Sequence, residues 1–186
     1  MTTKTNTKTI NTFNDIILSS ENPLVLCDID STILCYDKDY YYFYDQLKKD
    51  FPYMGEKSLN EDAEYMHNMY IQFFNPTHTD FEGFKNLELK IKEMNGKIEF
   101  ITARCKIGEK FTSKNFKDIG LNYDDYTVHY TDNKISKGEY IKKNIDITKY
   151  NEVIFIDDYL EYIQTVLNIF PTIKCYNFDH KMINDK

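Results

Sequence analysis

Two carboxylates, Asp28 and Asp30, stand two residues apart directly after the apolar run Leu24 to Cys27. Asp157 and Asp158 follow a second apolar run, Val153 to Ile156. Thr102 ends a third run that leads from Lys97 to Ile101, and Lys137 stands in Ser136-Lys137-Gly138, a helix-opening sequence. Carboxylates this close repel one another, and a cation keeps them ionised. A hard divalent ion such as Mg²⁺ suits oxygen donors of this kind. Paired carboxylates, a hydroxyl and an ammonium, brought together, would attack an electrophile, move protons and neutralise an anion. Each group alone has a plainer reading: a solvated acidic turn, an ordinary strand-end threonine, an exposed helix-start lysine. Their joint occurrence in this order carries the functional reading.

The elements that must position these groups follow from the apolar pattern. Short apolar runs bounded by polar residues read as buried strands, at 24–27 and within 152–156, and further strands are expected at 97–101, 126–130 and 172–176. A short lead-in helix is expected over Asn11 to Ser20, from the spacing of Phe13, Ile16 and Ile17. Asp80 is expected to cap a helix with Phe84, Leu87, Leu89, Ile91 and Met94 on its apolar side, and further helices are expected over Glu109 to Ile119, Ser136 to Asn144 and Tyr159 to Ile169. Strands alternating with helices predict an α/β, Rossmann-like, doubly wound parallel sheet of about five strands. The carboxyl ends of such strands are where open α/β sheets bind ligands, and there the acids, Thr102 and Lys137 would meet. Residues 36–79 break the alternation: a tyrosine-rich helix runs to about Lys49, Pro52 and Gly55 stop it, and a second helical pattern starts at Asn60. This stretch reads as a small helical cap inserted after the first strand, with 1–35 and 80–186 forming the core. Tyr40 to Tyr44 are expected either to stack on an aromatic part of a ligand or to pack the cap on the core.

The chain of 186 residues is long enough for one domain with a small insert, and 41% apolar with 16% aromatic residues describes a globular protein. A net charge of −7 without a basic block disfavours duplex nucleic acid and anionic membranes as partners. No apolar stretch approaches the roughly 20 residues of a membrane span. Met1 to Thr9 has no apolar h-region, so no secretory signal is read and a cytoplasmic setting is expected. Cys27, Cys35, Cys105 and Cys175 form no C-x-x-C pair, and Cys27 and Cys175 lie in apolar runs as expected buried thiols. His67, His78, His129 and His180 lack metal-ligand spacing and read as structural or exposed.

The segments Asp28-Ile29-Asp30-Ser31-Thr32, Phe100-Ile101-Thr102-Ala103-Arg104, Ser136-Lys137-Gly138 and Ile154-Phe155-Ile156-Asp157-Asp158 resemble, in order, the four motifs of haloacid dehalogenase-like (HAD) hydrolases. They also resemble a little-characterised branch akin to acid phosphatases. The resemblance implies a Mg²⁺-dependent phosphomonoester hydrolase acting on a small metabolite or nucleotide. It implies Asp28 as the nucleophile that forms an aspartyl-phosphate and Asp30 as the acid and then base. Thr102, Ala103, Arg104 and Lys137 would contact the substrate, and Mg²⁺ would be held by Asp28, the backbone carbonyl of Asp30, Asp157 and Asp158. Arg104 is expected either to hold a substrate anion bidentately or to sit in a surface salt bridge. A phosphomutase with the same residues needs a larger cap to exclude water, and at about 44 residues the insert is short. A non-catalytic binding module of the same fold would be marked by a lost motif residue, and none is lost. An open site would also admit a phosphopeptide. The oligomeric state is not legible.

Overall fold

The computed structural model describes residues 7–180. Its centre is a six-stranded parallel sheet. Strand β1 (Thr7–Ile10) forms one edge; β2 (Pro23–Cys27) lies inside. A two-stranded antiparallel ladder of β3 (Leu34–Cys35) and β4 (Thr77–His78) stands apart from it. The remaining strands are β5 (Lys97–Thr102), β6 (Thr127–Tyr130), β7 (Glu152–Asp157) and β8 (Lys174–Phe178). Across the large sheet the order is β1-β8-β7-β2-β5-β6. Every residue of β2 is buried, because apolar layers cover both sheet faces. Alternation sends Val25 and Cys27 into a layer with Phe84, Phe100 and Phe116, and Leu24 and Leu26 into one with Ile141, Phe155 and Val166.

The helices of the protein are α1 (Tyr40–Asp50), α2 (Glu56–Phe73), α3 (Phe81–Glu93), α4 (Glu109–Asp118), α5 (Lys137–Asn144) and α6 (Leu160–Ile169). Helices α1 and α2 lie between β3 and β4 and pack on each other around Phe43, Ala63 and Tyr70. Within this pair, Tyr40 donates to Asn60 Oδ1 at 2.5 Å and Tyr44 to Glu56 Oε1 at 2.6 Å. These two tyrosines therefore join α1 to α2, while Tyr41 and Tyr42 are exposed. The second helix starts at Glu56, a turn before the expected Asn60, directly after Gly55.

Two N-terminal expectations are corrected. In place of a lead-in helix there is one 3₁₀ turn, Phe13–Asp15. Phe13 is wholly buried, stacked on Phe178 at 4.6 Å and edge-on to Phe84 at 5.4 Å. Asp80 holds the turn: its Oδ2 accepts from Thr12 Oγ1 at 2.6 Å and from the Phe13 amide at 2.8 Å, while Oδ1 caps α3 by accepting from the Gly83 amide at 3.1 Å. Strand β1 is the added sixth strand. As an edge strand it buries only Ile10, so its sequence shows no apolar run. The leader reading for Met1 to Thr9 falls on Met1 to Asn6 outside the described residues.

Cys27 and Cys175 are buried, and all four cysteines are free thiols. Among the described residues no helix is long and apolar enough to cross a membrane.

Candidate active site

The ladder of β2 carries Asp28 to the sheet edge. Cys27 pairs with Ile156 of β7 and with Phe100 of β5, and the Asp28 amide makes one further bond to the Ile156 carbonyl at 2.8 Å. Asp28 and Asp157 therefore leave neighbouring strands at the same level. The chain then turns sharply. Ser31 takes a left-handed φ of 59°, uncommon for a residue with a Cβ, and its amide donates to the Leu34 carbonyl at 2.8 Å.

Lys137 comes to the same point as the first residue of α5, whose N-cap Ser136 accepts from the Glu139 amide at 3.2 Å. Gly138 follows because α5 crosses α6 there: a Cβ on it would lie 2.2 Å from the Thr165 carbonyl oxygen. The Lys137 side chain is 1% exposed; its Nζ donates to Asp28 Oδ1 and, at 2.7 Å, to Asp157 Oδ2. The ammonium also lies 4.7 Å from the centre of the Tyr162 ring. Asp157 is fixed further by the Tyr159 amide, which donates to Oδ1 at 2.9 Å. Asn177 donates to the Asp158 carbonyl at 2.8 Å and so steadies the loop behind the acids.

Asp28, Asp157 and Asp158 each offer a carboxylate oxygen, all within 4.8 Å of one another. Burial pushes the Asp28 and Asp157 carboxyls above their ordinary range, with Lys137 pulling both the other way. Asp158 is raised further, by burial and then by the negative charges of Asp157 and Asp28. On Lys137, burial opposes the charge, and Asp157 and Asp28 outweigh it, so the ammonium is held above a lysine's usual value. With all three carboxyls ionised, one ammonium leaves a net charge of −2 among these groups. An oxygen-only donor set with that deficit fits a hard divalent cation.

Asp30 forms a second centre. Arg104 donates Nε to its Oδ2 at 2.8 Å and Nη2 to its Oδ1 at 2.6 Å, a two-point fork. Nη1 donates to Thr112 Oγ1 at 3.1 Å and to Asn115 Oδ1 at 3.0 Å, and Nη2 also to Tyr36 Oη at 3.2 Å. Arg104 thus sits in a salt bridge with Asp30, a buried one rather than a surface one, its side chain 9% exposed. Burial alone would raise the Asp30 carboxyl, and Arg104 outweighs it and holds the group below its ordinary range.

Thr102 ends β5 beside β2, wholly buried, and its Oγ1 accepts from the Arg104 amide at 3.2 Å. Ala103 follows it, half-buried. The structure thus joins Asp28, Lys137, Asp157 and Asp158 in one group and Asp30 with Arg104 in another, with Thr102 and Ala103 at the same sheet edge. Tyr36, Thr112, Asn115, Tyr162 and Asn177 complete these groups and were not singled out by the sequence. Helical spacing hints at two of them: Thr112 and Asn115 lie three apart on α4. The helical pair reaches the site as well. His67 on α2 is close enough to Asp30 for their charges to interact, and Glu64 Oε1 accepts from Asn133 at 2.7 Å, in the loop before α5.

No family model matches the chain, and no curated protein matches it significantly. Solved structures do resemble it. The class C acid phosphatase from Bacillus anthracis superposes with a TM-score of 0.51 at 15% identity, covering 88% of this chain and 69% of that one. The same enzyme with tungstate bound gives 0.50 at 14% identity over 88% and 69%. A conserved haloacid dehalogenase-like protein of unknown function from Agrobacterium tumefaciens gives 0.50 at 7% identity, over 84% of each chain. At such identities the likeness is one of fold.

Proposed function

We propose that this chain, which has the haloacid dehalogenase-like fold, is a phosphomonoester hydrolase working through an aspartyl-phosphate. The observation that most supports this reading is the buried contact of Lys137 with Asp28 and Asp157, beside Asp158, at the carboxyl edge of the sheet. A phosphatase of similar fold, and its complex with the oxyanion tungstate, favour the same class of substrate.

Asp28 attacks phosphorus and forms the new O–P bond. The bond from phosphorus to the substrate oxygen breaks, and that oxygen takes its proton from Asp30, which must first be protonated against the pull of Arg104. Water then attacks phosphorus while Asp30 accepts the water's proton. The bond to Asp28 breaks, phosphate leaves and both carboxyl groups return to their starting states. Lys137 neutralises charge on Asp28 and on the phosphoryl oxygens. Thr102 and Ala103 offer a hydroxyl and an amide to the same oxygens. Asp28, Asp157 and Asp158, with the Asp30 carbonyl, would hold Mg²⁺, which when bound offsets the negative charge of the transferring group. The substrate class proposed is a small phosphorylated metabolite or nucleotide.

The test is phosphate release from 4-nitrophenyl phosphate with Mg²⁺ and with a chelator, on wild type and Asp28→Asn. Turnover that needs the metal and falls at least about 10³-fold in the variant is expected, because the nucleophile is lost. Turnover retained by folded Asp28→Asn would overturn the covalent route. Free phosphate as the product separates hydrolysis from transfer to a second hydroxyl.

A further inference from the structure

Four tyrosines beside the site lie in two edge-on pairs. Tyr159 is the N-cap of α6 and Tyr162 stands in its first turn; their ring centres are 5.2 Å apart with planes at 78°. Tyr40 and Tyr41 open α1, with centres 5.3 Å apart and planes at 79°. Each pair therefore makes a corner of two nearly perpendicular faces. The first corner begins at the site itself, since the Tyr162 ring centre is 4.7 Å from Lys137 Nζ. The second comes from the helical pair and approaches the first: Tyr41 lies within electrostatic reach of Tyr159. Tyr41 is 52% exposed and Tyr159 40%, so burial in the core does not account for these two rings. Glu64 of α2 stands beside both corners, within electrostatic reach of Tyr40 and of Tyr162. Its Oε1 accepts from Asn133 at 2.7 Å, in the loop that leads to Lys137, and among the described residues no lysine or arginine pairs with it. Aromatic faces attract a cation within about 6 Å of a ring centre, and quaternary ammonium ligands are bound by such rings set around them. A flat base can lie along only one face of each corner, whereas a rounded ammonium head meets both. The unpaired carboxylate adds charge of the opposite sign.

We propose that the substrate is the phosphomonoester of an alcohol bearing a quaternary ammonium head, held between the Tyr40–Tyr41 and Tyr159–Tyr162 corners beside Glu64. This rests on the hydrolase reading above and names the kind of metabolite that hydrolase takes.

The charge of the head provides the test. Phosphocholine is compared with 3,3-dimethylbutyl phosphate, which has the same shape with carbon in place of nitrogen and carries no positive charge. Wild type with Mg²⁺ is expected to favour phosphocholine roughly ten-fold or more in kcat/KM, the scale of a desolvated cation on aromatic faces, and chiefly through KM. Tyr41→Leu, Tyr159→Leu and Glu64→Gln should each lower that ratio by about three-fold or more. Tyr41 and Glu64 are exposed, so their variants keep the test open if Tyr159→Leu does not fold. Equal kcat/KM for the two esters in wild type, or variants that slow both esters alike, would overturn the ammonium site. So would a wild type that prefers a purine nucleoside monophosphate to phosphocholine, which would make the rings a surface for stacking a base. Turnover of 4-nitrophenyl phosphate with neither alkyl ester accepted overturns this substrate class and leaves the hydrolase reading standing. Turnover of none of them overturns both.

Discussion

Lys137 is the positive charge on which the buried carboxyls depend. Its ammonium touches Asp28 and Asp157 with almost no water access. Removing one partner of a buried pair leaves charge without compensation and costs about 3–5 kcal/mol. Lys137→Met should therefore lose about that much stability in a chelator, as read by urea unfolding. A divalent cation binding the same carboxylates stabilises the folded state by mass action, about 2.7 kcal/mol at a hundred times Kd. Added Mg²⁺ should accordingly raise the stability of wild type and recover part of the loss in the variant. No response of either protein to Mg²⁺ would count against the carboxyl group as a metal site. Lys137 was legible as a helix-start lysine expected to meet the acids at the sheet edge; its direct bond to Asp28, 109 residues away, depends on where α5 is set down on the sheet.

At the scale of elements, two contacts fix how helices meet the sheet. Gly138 lets α5 pass against α6 at a distance that excludes a Cβ. Gly138→Ala should destabilise by about 1–3 kcal/mol through overpacking. It should also lower turnover, because Lys137 is the adjacent residue; unfolding midpoint and kcat measured together check both. The second contact is His78 on β4, whose Nδ1 accepts from the Asp80 amide at 3.1 Å while its Nε2 is buried without a partner. An accepting Nδ1 belongs to a neutral ring. Burial lowers the His78 pKa to about 4, from an unfolded value near 6.5. The folded pKa is depressed, so protonation favours the unfolded chain. This contribution is complete above about pH 6.5 and is lost as pH falls from there towards 4. His78→Gln should flatten the stability profile in that window by about 3 kcal/mol, and an unchanged slope would assign the acid loss to other groups.

The whole molecule is a sheet covered on both faces, with a small helical pair joined to it at one edge. The core layers are large and continuous, whereas the pair is held by Phe43, Ala63 and Tyr70 and by a few polar ties such as Glu64 to Asn133. Fewer buried apolar contacts mean local opening at lower free energy. Amides of α1 and α2 should exchange with solvent well before those of β2 and β7. Phe43→Ala should speed exchange in the pair while leaving β2 and β7 protected. Uniform protection over both would show a single cooperative unit.

The sequence by itself determined the central strands and their ends. Strand β2 is buried and apolar throughout, and β7 carries the apolar stretch Val153 to Ile156, so these two show as runs, and the polar residues after them mark the sheet edge. Strand β1 escaped notice because an edge strand with one buried residue leaves no run to read. The first helix expected was one turn because Phe13 is drawn into the core between Phe178 and Phe84, a long-range contact that overrides local spacing. Which charges pair was likewise decided only by the tertiary structure. Asp30 and Arg104 are 74 residues apart, and both sit in short motifs whose spacing says nothing about each other. Strand order places β5 next to β2, and burial then makes a lone guanidinium and a lone carboxylate costly, so the two are held as a pair.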